Sequence, residues 1–319
     1  MILIISKIIG GLLLLLVGGE GLVRGSVILA RIFGLSTLVI GLTVVSMGTS
    51  APELVVCIQS ALSGHSDIAI GNVIGSNISN IFLIIGLTAC IYPIHINKKL
   101  LKFDAPMLLL YTVLLVLFCL GDFLYRLEGL FLVGSIIFYN WYTVKKVRKQ
   151  PEEDIDVDVD LKSLEKYKWW HGVLLVFMGI LALAYGSDVL VEGSVALAKI
   201  YGVSEAVIGL TIVAVGTSMP EMITSAVAAY RKEADIALGN VVGSNLFNIL
   251  GILGVTAVVK PIPISPEFLQ RDSWVLILST LLLVGLMKTQ EKFDKFAGIV
   301  FLVFYASYTI FLIYQRNFL

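Results

Sequence analysis

Along the chain, long apolar runs alternate with short clusters of glycine, proline and charge. Ten runs stand out, near residues 3–31, 37–62, 68–92, 103–121, 127–147, 169–199, 205–230, 236–259, 273–288 and 294–315. Stretches such as SWVLILSTLLLVGLM at 273–287 approach the ~20 apolar residues that carry a helix across a hydrocarbon core. One long polar segment interrupts the series, KKVRKQPEEDIDVDVDLKSLEKYK at 145–168. The pattern predicts an all-α membrane protein with ten transmembrane helices.

The runs fall into two sets of five. Residues 34–93 align with 202–261 at a constant offset of 168 without a gap, and 30 of the 60 positions are identical. The match reaches back to pair Gly18 with Gly186, Glu20 with Asp188, and GSVILA (25–30) with GSVALA (193–198), and forward to Asp104 and Asp272. Such a period marks a duplicated unit. The expected organisation is a first five-helix repeat over 1–147, a linker over 148–167 and a second repeat over 168–319. Five crossings is an odd number, so the second copy is expected to enter the membrane inverted. Transporters use inverted repeats of this kind with the substrate site near the midplane. With the N-terminus outside, sixteen lysines and arginines fall on the cytoplasmic side and six on the outer side. The positive-inside rule then places both termini outside and the 148–167 loop in the cytoplasm of a multi-pass cell-membrane protein.

Composition agrees. The chain is 58% hydrophobic and 14% charged with a mean hydropathy of +0.94, against about 25% charged residues in soluble proteins. A net charge of zero offers nothing to nucleic acid. Cys57, Cys90 and Cys119 share no metal spacing, and His65, His95 and His171 fall near segment ends, so neither set is expected to form a site. The N-terminal run lacks the basic cluster and small-residue cleavage site of a signal peptide and is expected to remain as a helix. No HExxH or GxSxG is present, which speaks against an intramembrane enzyme. No cofactor and no obligate protein partner are expected beyond the lipid bilayer and transported ions.

The chemistry concentrates in one repeated motif. GTSAPE at 48–53 returns as GTSMPE at 216–221, and each copy puts proline and glutamate inside an apolar run. Pro52 has no N–H for the carbonyl of Gly48, so the helix must bend or break and loosen the carbonyls of 46–49; Pro220 does the same to 214–217. In hydrocarbon such carbonyls have to face protein, water or a cation. Thr49 and Glu53, like Thr217 and Glu221, lie four apart on one helix face. The following runs, GNVIGSNISN (71–80) and GNVVGSNLFN (239–248), add Ser76 and Asn80, and Ser244 and Asn248. Gly71 and Gly75, like Gly239 and Gly243, form an edge that permits close helix approach. All these donors are hard oxygen ligands, suited to Ca²⁺ or Na⁺ and not to softer transition metals. Inverted symmetry would bring the four segments together with the two glutamates facing each other. Two carboxylates match one Ca²⁺ or two Na⁺, an empty ionised site is costly to move across the membrane, and a third Na⁺ would make transport voltage-sensitive.

Through GTS-x-PE followed by GN-x-x-GSN in both halves, and over nearly its whole length, the chain resembles the sodium/calcium exchanger family of the cation/calcium exchanger superfamily. The resemblance implies ten helices around a midplane site, with Pro-broken helices two and seven, long first and sixth helices that slide past the core, and competition of Ca²⁺ with about three Na⁺. It further implies that Glu53 and Glu221 bind Ca²⁺ with the Thr49 and Thr217 carbonyls. Ser50, Ser218, Ser76 and Ser244, with the carbonyls of Ser46 and Ala214, would complete the Na⁺ sites, and Asn80 and Asn248 would flank a central water or ion. An asparagine at 248, where the potassium-dependent branch carries aspartate, disfavours potassium dependence.

The same fold could instead couple Ca²⁺ or another divalent cation to protons, because a buried glutamate titrates more readily near neutral pH. A passive channel is disfavoured by two opposed broken-helix repeats converging on one closed site. Glu20 with Arg24, and Asp188 with Glu192, are read as interfacial or snorkelling charges on the long first and sixth helices. Asp154, Asp156, Asp158 and Glu165 imitate EF-hand spacing, but Val159 stands where the loop needs glycine, so this run reads as a solvated acidic linker.

Overall fold

The computed structural model describes residues 1–147, 167–201, 214–265 and 268–318. The acidic run at 154–165 and residues 205–213 of the seventh expected helix lie outside the described residues.

Helical structure stands at each of the ten expected positions: Ile2–Phe33, Thr37–Thr49 with Ala51–Leu62, Ile68–Ile91, Asp104–Phe118, Arg126–Val147, Trp169–Ile200, Ala214–Thr217 with Met219–Tyr230, Ala234–Val259, Phe268–Thr289 and Lys295–Phe318. Among the described residues, seven helices are long and apolar enough to cross a bilayer, and the bent pair Thr37–Thr49 and Ala51–Leu62 would make an eighth. Asp104–Phe118 is a shorter apolar helix.

Burial sorts these helices into layers. The most apolar windows of Ile68–Ile91 and Ala234–Val259 are 72% and 89% buried, whereas the other long helices reach at most 39%. The GNxxGSN segments thus run through the middle of the protein, where polar side chains meet one another and not lipid. Ile78, Ile81, Ile84, Val241, Leu246 and Ile249 pack around them as the main core.

Among the described residues, four stretches wind as π-helix: Gly41–Val45, Asn80–Ile84, Asn248–Leu253 and Phe268–Asp272. Such wide turns concentrate at functional sites. Two of them begin at Asn80 and Asn248, equivalent positions of the repeat.

The long helices Ile2–Phe33 and Trp169–Ile200 lie antiparallel along a glycine seam. Gly11, Gly18 and Gly25 recur every seven residues, as do Gly172, Gly179, Gly186 and Gly193. A Cβ at Gly11 would stand 2.8 Å from the Gly186 carbonyl oxygen, and one at Gly179 would stand 2.8 Å from that of Gly18. Small residues at such seams let backbones approach closely where lipid offers no hydrophobic drive to association. Ion pairs flank the seam: Lys7 with Glu192, and Glu20 with both Arg24 and Arg231. Glu20 therefore ties the first helix to the end of Met219–Tyr230, a contact that its pairing with Arg24 alone would not supply.

Two short antiparallel ladders, not anticipated from hydropathy, close the ends. β1 (Ile94–His95) pairs with β4 (Lys292–Phe293), and β2 (Phe123–Leu124) pairs with β3 (Ile262–Pro263). Each joins the segment after the third helix of one half to the segment between the fourth and fifth helices of the other. The two ladders correspond to each other under the sequence repeat.

Candidate ion-binding site

Both proline-glutamate motifs break their helices at the same place. Ser50 (φ −88°, ψ 6°) and Ser218 (φ −90°, ψ 6°) leave the helical region, and Pro52 and Pro220 then start the next helices, where a missing N–H costs nothing. The two pieces in the first half are bent by 43°. The carbonyl of Ser46 is not loosened: it accepts the Ser50 N–H at 3.1 Å and the Thr49 hydroxyl at 3.3 Å. Pro52 frees a carbonyl only four residues back, at Gly48. The Ser46 hydroxyl bonds to the carbonyls of Leu42 and Thr43 on its own helix, so this residue could offer a cation only its backbone.

The breaks aim Glu53 and Glu221 into the interior, where they are 1% and 2% exposed. Ser50 from the first half donates to Glu221 Oε1 at 2.7 Å. Glu53 Oε2 and Glu221 Oε2 have no hydrogen-bond partner among the described residues, and neither carboxylate has a basic partner there. An ionised carboxylate buried with an unpartnered oxygen and no counter-charge is costly, and a cation between the two would supply that charge.

Other contacts knit the halves together. Thr49 donates to Asn240 Oδ1 at 3.2 Å, and Asn240 Nδ2 donates to the Ser225 hydroxyl at 3.0 Å and the Glu221 carbonyl at 3.3 Å. Ser244 reaches Asn240 Oδ1 at 3.5 Å, and Ser218 reaches the Ser76 hydroxyl at the same distance. Asn80 donates to Asn245 Oδ1 at 2.9 Å, and Asn248 donates to Asn77 Oδ1 at 3.0 Å. Thr217 and Ala214 occupy in the second half the places of Thr49 and Ser46. These bonds form three groups, each drawing on both halves: Ser50 and Thr49 with Glu221, Asn240, Ser225 and Ser244; Ser76 with Ser218; and Asn80 and Asn77 with Asn245 and Asn248. Among the described residues no group of three or more His, Cys, Asp or Glu could hold a metal; the candidate site is two carboxylates among hydroxyls and amides.

Sequence reasoning missed Asn77, Asn245, Asn240 and Ser225. The first three lie inside the quoted motifs, but spacing by four selects Ser76 with Asn80 and passes over their neighbours. Cys57 occupies the place of Ser225 in the first half, where it accepts from Asn72 Nδ2 at 3.4 Å. The glycine edges differ as well. A Cβ at Gly243 would stand 2.6 Å from the Leu42 carbonyl oxygen, whereas Gly71 and Gly75 have nothing within 4 Å among the described residues; the counterpart of Leu42 is Leu210, which lies outside them. A cavity of about 230 Å³, lined by Gly71, Gly75, Arg271, Tyr305 and Tyr308, opens beside Ser76.

Known proteins resemble this chain over nearly its whole length. The family model described as sodium/calcium exchanger protein matches residues 4–145 and 171–314. The putative antiporter CaxA of Alkalimonas amylolytica is 37% identical over 93% of this chain and 95% of its own. The sodium/calcium exchanger MaX1 of Methanosarcina acetivorans is 31% identical over 95% of this chain and 97% of its own. Among solved structures, the sodium-calcium exchanger NCX_Mj soaked with 10 mM Na⁺ and zero Ca²⁺ superposes with a TM-score of 0.81 at 34% identity, covering 96% of this chain and 97% of that one. On this evidence the chain is a multi-pass membrane protein that belongs to the sodium/calcium exchanger protein family.

Proposed function

We propose that the protein is a secondary active antiporter that exchanges Na⁺ for Ca²⁺ across the cell membrane by alternating access. The observation that carries this reading is the pair Glu53 and Glu221, buried between two equivalent helix breaks, each with one carboxylate oxygen unpartnered and neutral oxygen groups around it. Ca²⁺ takes six to eight oxygens from carboxylates, carbonyls and water, and the site supplies that class of ligand. In this reading Glu53 and Glu221 hold Ca²⁺ with the carbonyls of Thr49 and Thr217. Na⁺ uses Ser50, Ser218, Ser76 and Ser244 with the carbonyls of Ser46 and Ala214, and Asn80 and Asn248 flank the centre.

Exchange follows from charge. With both carboxylates ionised the site carries two negative charges, and exposing it empty to the low-dielectric interior during a conformational change is expensive. One Ca²⁺ or two Na⁺ cancel the charge, so loaded forms move and the empty form does not. A third Na⁺ leaves one net positive charge, which makes the cycle electrogenic.

The ladders support an inverted pair of five-helix repeats, 1–147 and 168–319; the distribution of lysine and arginine favours a cytoplasmic 148–167 linker with both termini outside. In the ten-span reading, six helical passes separate β1 from β4 and four separate β2 from β3. Both numbers are even, as they must be if hydrogen-bonded strands lie on the same side of the bilayer. Five passes per half would put the pseudo-two-fold axis in the membrane plane.

The test is radioactive Ca²⁺ uptake into proteoliposomes, driven separately by an outward Na⁺ gradient and an outward H⁺ gradient. Uptake on Na⁺ alone, lost in Glu53→Gln with Glu221→Gln, supports this reading. Uptake on H⁺ alone makes the protein a proton/Ca²⁺ antiporter of the same fold, and uptake on neither removes Ca²⁺ as the substrate.

A further inference from the structure

Four buried asparagines form crossed pairs between the halves, Asn80 with Asn245 and Asn248 with Asn77. All four are buried, at about 1% exposure. The two contacts exchange under the 168-residue repeat, so one arrangement is built twice.

An amide has one acceptor end and one donor end, and its neighbours decide which way it points. Asn245 is held by the backbone of the opposite half: its Nδ2 donates to the Asn77 carbonyl at 3.4 Å. A carbonyl can only accept, so Asn245 must turn its nitrogen there and its oxygen toward Asn80. Asn80 must then meet Asn245 with its own nitrogen. What remains is Asn80 Oδ1, buried and without a partner among the described residues. Asn248 is left in the same condition: its nitrogen goes to Asn77 and its Oδ1 is buried and unpartnered. Two acceptor oxygens, one from each half, are thereby withheld from protein donors in an interior where unsatisfied polar atoms are costly.

We infer that Asn245 is a positioning residue: by taking the amide nitrogen of Asn80, it fixes that residue's side-chain oxygen as a cation acceptor of the site, while Asn77 engages Asn248 in the equivalent pairing with a weaker hold on its direction. The inference rests on the exchange reading above and deepens it. It explains why each half carries two asparagines three apart. One faces the ion, and its neighbour faces the other half. It also contains an asymmetry. Asn245 is anchored to a backbone carbonyl, whereas Asn77 Nδ2 has no partner among the described residues, so the Asn80 oxygen is the more firmly directed of the two.

The experiment is a double-mutant cycle on the purified full-length protein, with Ca²⁺ binding and its displacement by Na⁺ measured by radioligand equilibrium. The proteins are wild type, Asn80→Ala, Asn245→Leu and the double variant. A partner that orients a metal ligand typically contributes roughly 10–100-fold in affinity. Asn245→Leu is therefore expected to weaken cation binding by a factor in that range, and to add nothing in the Asn80→Ala background, because it acts through Asn80. Losses that multiply in the double variant would reduce Asn245 to a packing role and overturn the inference, as would an unchanged affinity in Asn245→Leu. Asn77→Leu guards against a folding failure in the first variant: it is expected to be non-additive with Asn248→Ala and smaller in effect, and additivity there also counts against the idea. If wild type binds no Ca²⁺ displaceable by Na⁺, the exchange reading fails first; if it does and the cycles are additive, only the positioning role fails.

Discussion

Replacing Gly10 and Gly11 by alanine, one at a time, sets two adjacent residues of one helix against each other. A methyl at Gly11 would stand 2.7 Å from the Leu190 nitrogen and 2.8 Å from the Gly186 oxygen, backbone atoms that no rotamer change can move, while ordinary contact begins at 3.4 Å. The helices would have to part by about 0.6–0.7 Å along that line, and overpacking of this kind costs roughly 1–3 kcal/mol. Gly10 meets nothing within 4 Å. Both substitutions gain the same helix propensity, up to ~1 kcal/mol, so the gain cancels in the comparison and the steric cost remains. Gly11→Ala is expected to be less stable than Gly10→Ala by about 1–3 kcal/mol, with Gly10→Ala at or above wild type. Thermal unfolding in one detergent or nanodisc preparation, followed by monodispersity on gel filtration, reads the difference. Equal stability of the two variants would refute backbone contact along the seam, and with it the antiparallel register of Ile2–Phe33 on Trp169–Ile200.

Three further outcomes follow from single contacts. Tyr139 donates to Asp104 Oδ1 at 2.6 Å with both residues buried, so Tyr139→Phe should lower stability by about 1.5–3 kcal/mol while leaving the ion site intact; a melting temperature equal to wild type would contradict this. Pro52→Ala gives the Gly48 carbonyl a donor again and favours a straight helix, so Ca²⁺ uptake should fall while thermal stability holds or rises; a wild-type uptake rate would show that the break is dispensable. Between Tyr230 and Ala234, burial pushes the Glu233 carboxyl above the ordinary glutamate range, with Asp235 adding to the effect and Arg31 opposing it. A carboxyl raised in the folded state is held protonated there, so stability should decline as pH rises through the ordinary glutamate pKa and level off above the raised one. Glu233→Gln should flatten that decline, and identical pH profiles for the two proteins would remove Glu233 as its source.

The site was legible where its chemistry violates its surroundings. Proline and glutamate in apolar helices are conspicuous, and their recurrence after 168 residues led to Glu53, Glu221 and the adjoining serines and threonines. The central asparagines were half legible. Spacing by four finds Asn80 and Asn248, but nothing in a helical period announces that the backbone widens into a π-turn at those residues. Nor does it announce that Asn77 and Asn245 turn to the opposite half, because that contact is made between segments 165 residues apart. Asn240 was hidden for the same reason, since its partners Thr49 and Ser225 come from two other helices. The glycine seam is different. Its seven-residue spacing is written in the sequence, and a search keyed to glycines four apart passes over it. The short ladders at the helix ends could not be read at all, because two-residue strands carry no periodicity.

The central claim is that Ca²⁺ and Na⁺ compete for one site built around Glu53 and Glu221. The most direct test is equilibrium binding of radioactive Ca²⁺ to the purified protein across a Na⁺ titration, in wild type and in Glu53→Gln. The account predicts full displacement by Na⁺ with a Hill coefficient above one, because more than one Na⁺ replaces each Ca²⁺, and loss of Ca²⁺ binding in the variant. Ca²⁺ binding that Na⁺ leaves untouched, or that survives in Glu53→Gln, would contradict it.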